Sequence, residues 1–157
     1  WPMVAGKTAA LLSCCAEVGA LCAEMSLENQ EHFRIFGHKL GLAFQVWDDY
    51  LGIWGDSAIT GKSTASDLVA GKKTLPVLFA LAQNGAFAQR WRQGSITQSE
   101  LPALSETLVM EGAQAYVEAM AAQLTKEALD ALKHTSCGGE GCLILKELAN
   151  SLLHRNR

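Results

Sequence analysis

Two adjacent acids, Asp48 and Asp49, sit inside the otherwise apolar run Gly41-Leu42-Ala43-Phe44-Gln45-Val46-Trp47-Asp48-Asp49-Tyr50-Leu51. A carboxylate that leaves water for an apolar surface loses hydration, which is normally tolerated only where a cation or a hydrogen-bond donor compensates it. Gln45 precedes Asp48 by three residues and Asp49 by four, so on a helix all three side chains share one stripe. An oxygen-only donor set of this kind suits Mg²⁺, commonly held by one or two carboxylates together with substrate phosphates. Lysines follow closely at Lys62, Lys72 and Lys73, and their charge makes a phosphate ligand plausible. The bland alternative for the acids is an exposed helix end, and for the lysines a solvated surface.

Other motif-like features carry less. Gly61-Lys62-Ser63 and Gly6-Lys7-Thr8 resemble the end of a nucleotide P-loop, but the first glycine of that motif would fall at Asp56 or Trp1. Neither stretch follows a buried strand, which the phosphate-cradling loop requires. His32, His38, His134 and His154 form no H-x-x-x-H pair, and a surface role is the default for each. Three of the five cysteines, Cys14, Cys15 and Cys22, fall within a helical apolar pattern and read as core thiols of a reducing cytosol. Cys137 and Cys142 flank Gly138-Gly139-Glu140-Gly141, a flexible interhelical loop without a second pair at zinc spacing.

The elements that must position these groups read as helices throughout. Val4, Thr8, Leu11, Cys15, Val18 and Cys22 recur in steps of four and three, predicting one helical face between about Val4 and Met25. Ser26 reads as the N-cap of a second helix with Glu28 in its first turn. Its buried stripe is Phe33, Phe36, Leu40, Phe44, Trp47, Leu51 and Trp54, and Gly37 and Gly41 permit close approach of a neighbour. Gly55 to Lys72 reads as a surface loop. Leu75 to Ala82 resumes helix, with Pro76 tolerated in its first turn. Thr97-Gln98-Ser99-Glu100 has capping-box spacing. A long helix then runs from about Leu104 to His134, with Gly112 as its weak point, and a last one from about Cys142 to Leu153. No alternating strand pattern occurs, so the fold class is all-α.

With 157 residues, 49% of them hydrophobic and 18% charged, the chain has the profile of one packed helical domain. A net charge of −3 gives no reason to expect a nucleic-acid partner. No uninterrupted apolar run approaches the 18 or so residues of a membrane span; the best, Ala9 to Ala16, stops at Glu17. The start, Trp1-Pro2-Met3, enters a helical pattern at once and reads like the middle of a longer polypeptide.

Taken together, Lys7-Thr8, the segment from Phe44 to Asp56, Thr60-Gly61-Lys62, Asp67 and Gly71-Lys72-Lys73-Thr74-Leu75-Pro76 closely resemble the trans-isoprenyl diphosphate synthases, the polyprenyl synthetase family. The segment around Asp48 is similar to that family's second aspartate-rich motif, commonly FQ-x-x-DD-x-x-D, and Lys7-Thr8 to its "KT" helix. Glu111-Gly112-Ala113, Ala119 and Leu152-Leu153-His154-Arg155 look like its C-terminal helices. The resemblance implies a helical bundle around a central cavity, in which Mg²⁺ ions bridge aspartate-rich helix ends to an allylic diphosphate. Loss of that diphosphate and attack by isopentenyl diphosphate would lengthen the chain by one isoprene unit. Carried over by position, Asp48 and Asp49 would bind Mg²⁺. Lys7, Thr8, Gln45, Lys62 and Lys72 would contact the allylic diphosphate, with Lys7 and Lys62 as the catalytic cations. Asp67 would orient Lys62 or Lys72. A cytoplasmic homodimer is the expected assembly.

Two departures stand out. The third aspartate of the motif is absent, since the position four after Asp48 is Gly52; Asp56 could substitute only if the helix ends near Gly55. The family's first aspartate-rich motif and its isopentenyl-diphosphate site are also missing, because they precede the KT helix and no D-D-x-x-D occurs here. A terpene cyclase of the same fold and a non-catalytic regulatory subunit of a heteromeric prenyltransferase are the competing functions. As half of an active site, this chain by itself is expected not to catalyse prenyl transfer.

Overall fold

The computed structural model describes residues 1–55 and 65–154, the last three by their backbone alone. Every regular element among the described residues is helical. They are α1 (Pro2–Cys22), α2 (Leu27–Trp54), α3 (Ser66–Val69), α4 (Leu75–Gln83), α5 (Ala86–Trp91), α6 (Leu101–Met110), α7 (Ala113–Lys133) and α8 (Gly139–His154), with a 3-10 turn, Gln98–Glu100, leading into α6. They fall into two compact units. One joins Trp1–Gln45 to the stretch that starts at Met120, and the other is Val46–Ala119.

The first unit is organised by a close helix contact that glycine makes possible. A Cβ on Gly41 would stand 2.5 Å from Ala9 Cα, and one on Gly37 would stand 2.8 Å from Ser13 Cα. Only a residue without a side chain fits there, so α1 lies backbone to backbone on α2. The Ser13 hydroxyl seals the contact by donating to the Arg34 carbonyl at 2.9 Å. This contact corrects the sequence reading of α1. The buried side is Ala9, Ser13 and Ala20, with Leu12 and Ala16 packed beside them, whereas Leu11, Val18, Cys15 and Cys22 are exposed. Larger side chains would hold the two helices apart, so the small-residue face turns inward. Cys14 is exposed as well, and the three thiols are therefore not core residues of this unit.

Residues of α2, α7 and α8 complete this unit's core, including Phe33, Phe36, Leu40, Leu132 and Cys142. Ser26 caps α2 as expected, its Oγ accepting the Asn29 amide at 3.3 Å. Cys142 is buried inside α8, which begins at Gly139, so the glycine-rich loop is shorter than the sequence suggested. No single apolar run marks α1, yet its 21 residues are long and apolar enough to cross a membrane by length and composition. An average over the helix tolerates the isolated charges Lys7 and Glu17 that interrupt the run, and this corrects the expectation drawn from uninterrupted runs.

The second unit packs Ile53, Leu68, Val77, Phe87, Leu104 and Leu108 into its own core. The predicted loop from Gly55 to Lys72 contains the one-turn helix α3, too short for periodicity to reveal. It is entered through Ala65, buried and left-handed at φ 56°. Thr97 and Glu100 form the expected capping box. Arg90 clamps Glu100 through Nε at 2.6 Å and Nη2 at 2.9 Å, and with the Thr97 bonds this holds the Glu100 carboxyl down to about 2. The long helix breaks where expected: Glu111 ends α6, and Gly112, at φ 82°, redirects the chain into α7.

Replacing Gly37 by alanine sets a methyl group against the backbone of Leu12 and Ser13. Alanine gains about 1 kcal/mol in a helix, and overpacking costs about 1–3 kcal/mol when the obstacle cannot move. We expect Gly37→Ala to lower stability by up to about 2 kcal/mol in chemical denaturation. A midpoint at or above wild type would show that the helices are not in backbone contact.

Candidate functional site

Within the first unit, Lys7 and Thr8 sit on a π-helical turn, Ala5–Ala9, a distortion that recurs at functional sites because it redirects side chains. The Thr8 hydroxyl donates to Gln45 Oε1 at 3.1 Å across 37 residues of sequence. The structure thus joins two of the predicted ligand-binding residues, and Lys7 beside them is exposed.

Within the second unit, Asp48 and Asp49 lie half-buried on α2. Asp49 Oδ2 accepts the backbone N–H of Leu75 at 2.8 Å. Leu75 is the first residue of α4, where backbone donors lack intrahelical partners and the helix dipole favours a negative charge. Asp49 therefore caps α4 from outside, a structural duty that its sequence position did not announce. The residue before Leu75, Thr74, buries its hydroxyl with no hydrogen-bond partner among the described residues.

Lys72 meets Asp67, Nζ to Oδ1 at 2.5 Å, and its amide donates to the Asp67 carbonyl at 3.0 Å. The Asp67 bond raises the Lys72 ammonium above the ordinary lysine value. Burial opposes it, and the charges of Asp67, Asp48 and Asp49 add to it. A lysine value raised above 10.5 keeps Lys72 a cation throughout the neutral range. Of the two lysines that Asp67 was expected to orient, it holds Lys72. Lys62 and Asp56 lie outside the described residues, as do the side chains of Leu152, Leu153 and His154.

The carboxylates fit a hard divalent cation, within limits. Among the described residues no group of three or more His, Cys, Asp or Glu could hold a metal ion by itself, so these residues alone offer no closed protein cage. One or two carboxylates, completed by water and by phosphate oxygens, is the arrangement Mg²⁺ prefers. The exposed, cationic Lys72 in the same unit is a group that a phosphate would complement.

Aromatic rings on α2 flank Asp48 and Asp49 in sequence and pack on one another. Trp47 and Tyr50 stack with centroids 4.6 Å apart, and the Tyr50 hydroxyl accepts from Gln114 Nε2 at 3.0 Å.

The helical arrangement is the all-α isoprenyl synthase fold. Geranylgeranyl pyrophosphate synthetase from Pyrococcus horikoshii matches with a TM-score of 0.89 and 29% identity, over 98% of this chain and 48% of that one. A polyprenyl synthase from Caulobacter crescentus, solved with calcium and isoprenyl diphosphate, matches with a TM-score of 0.87 and 31% identity, over 98% of this chain and 48% of that one. The chain belongs to the polyprenyl synthetase family, whose model matches residues 1–107. The (2E,6E)-farnesyl diphosphate synthase of Mycobacterium bovis is 38% identical over 161 residues, which cover 98% of this chain and 45% of that protein. The chain thus spans about half the length of the curated relatives it matches.

If Asp49 holds the start of α4, Asp49→Ala should lower stability by about 1–2 kcal/mol, and Asp49→Asn, which keeps an acceptor oxygen, by less. Urea denaturation measures both, and an unchanged midpoint for Asp49→Ala would contradict the capping role.

Proposed function

We propose that this chain is the C-terminal half of a Mg²⁺-dependent isoprenyl diphosphate synthase, which condenses an allylic diphosphate with isopentenyl diphosphate. The observation that carries the proposal is the Lys72 ammonium, held by Asp67 and under the charges of Asp48 and Asp49. A cation beside carboxylates, all in one unit, suits the recognition of a metal-bound diphosphate. Family membership and the calcium and isoprenyl diphosphate bound by the Caulobacter crescentus relative support the same reading.

In this proposal Asp48 and Asp49 hold Mg²⁺, which supplies positive charge to the departing diphosphate. Lys7, Thr8, Gln45, Lys62 and Lys72 bind the diphosphate oxygens. Lys7 and Lys62 count as catalytic because fixed cations stabilise the leaving group most when its C–O bond is breaking and its negative charge is greatest. The bonding electrons leave with the diphosphate. The double bond of isopentenyl diphosphate then attacks the allylic carbon, and loss of a proton restores neutrality in the lengthened product. Apolar helix faces keep water from the cationic carbon.

The remaining groups are assigned to an upstream half with the first aspartate-rich motif, which is why the activity is placed in the longer polypeptide. Leu11, Val18 and Leu21 form an exposed apolar face on α1. A face of this kind favours a protein contact, and we assign it to a homodimer in the cytoplasm, where the five free thiols stay reduced.

The test is an assay of the full-length protein and of this chain alone, with both diphosphates and Mg²⁺. The full-length protein should yield a lengthened isoprenyl diphosphate, EDTA should abolish it, and this chain alone should yield none. Elongated product from this chain alone would overturn the half-site reading. No product from the full-length protein would put the regulatory-subunit reading ahead, and a hydrocarbon or alcohol from the allylic substrate alone would mark a cyclase.

A further inference from the structure

Gly52 follows Asp48 by four residues and Asp49 by three, so a side chain at 52 would join the acidic row on α2. The space for that side chain is already filled. A Cβ on Gly52 would stand 2.7 Å from Asp67 Cγ and nearer still to its Oδ2, well inside ordinary carbon contact of about 3.5–4.0 Å. The carboxylate over Gly52 therefore arrives from α3, fifteen residues later in sequence.

Asp67 has little freedom to move aside. It is 6% exposed, its Oδ1 accepts the Lys72 ammonium at 2.5 Å, and its carbonyl accepts the Lys72 amide at 3.0 Å. Its neighbours Ala65 and Leu68 are each 1% exposed. Any side chain at 52 would have to rotate the Asp67 carboxylate, and that rotation breaks the bond to Lys72. An acid at 52 would add repulsion between two carboxylates at contact distance.

We propose that Gly52 is the seat of Asp67 and that Asp67 is a positioning residue, fixing the Lys72 ammonium for the diphosphate. An aspartate at 52 and the Asp67–Lys72 pair are mutually exclusive in this chain, so the glycine is a requirement of the site and not a loss from it. The role of Lys72 rests on the function proposed above, whereas the seat itself rests on packing alone.

Two readouts on the full-length protein test this: thermal unfolding without Mg²⁺ or substrate, and calorimetric binding of inorganic pyrophosphate with Mg²⁺. The variants are Gly52→Ala, Asp67→Ala, Lys72→Ala and Gly52→Ala/Asp67→Ala. Gly52→Ala should lower Tm when Asp67 is present. It should raise Tm in the Asp67→Ala background, where the clash is gone and alanine is the better helix former. Gly52→Ala, Asp67→Ala and Lys72→Ala should each weaken pyrophosphate binding about tenfold or more, the loss expected for one hydrogen bond to a charged group. The double variant should weaken it no further than either single one, because both act through Lys72. If Asp67→Ala does not fold, Asp67→Asn keeps the seat filled and should still weaken pyrophosphate binding.

The same Tm change for Gly52→Ala in both backgrounds would overturn the seat. Unchanged pyrophosphate affinity in Asp67→Ala, where Lys72→Ala loses it, would overturn the positioning role. If Lys72→Ala itself leaves affinity unchanged, the diphosphate role of Lys72 fails and the positioning role with it, while the unfolding arm still decides the seat.

Discussion

Carboxylates set on an apolar helix have to be compensated, and here the compensation comes from the chain that follows them. Asp49 is satisfied by the first N–H of α4, and Asp67 by the Lys72 ammonium. The two bonds share a logic. Each places a group of opposite polarity against a carboxylate that water reaches only partly, which holds the carboxylate in place. Chain direction after α2 is constrained by these residues, since Leu75 must return to α2 to meet Asp49 and Asp67 must return to it to fill the space over Gly52.

This arrangement explains why α2 carries so much of the protein. Its N-terminal part meets α1 through Gly37 and Gly41, where absent side chains let two backbones touch. Farther along, Gly52 again leaves a space, filled this time by a carboxylate. Glycines in a helix interior cost stability relative to alanine, and three of them on one helix are tolerated because each admits a neighbour that a methyl group would exclude.

Much of this was legible in the sequence. The acidic pair on an apolar run, the spacing of Gln45 and the Ser26 and Thr97 caps each follow from local rules, and the structure holds the caps where expected. The burial of α1 was not legible, because its periodic large residues suggested one face while the contact with Gly37 and Gly41 selected the small-residue face. Helix α3 is a single turn, so no periodicity could show it. The place of Asp67 over Gly52 depends on a tertiary return of the chain, which spacing along a helix cannot report. Lys62 was named from its resemblance to the family and lies outside the described residues.

The most direct measurement is a crystal structure of the full-length protein with Mg²⁺ and a non-hydrolysable allylic diphosphate analogue. The account predicts the diphosphate joined through Mg²⁺ to Asp48 and within hydrogen-bond distance of the Lys72 ammonium, with Asp67 still over Gly52. A diphosphate bound away from both Asp48 and Lys72 would contradict it.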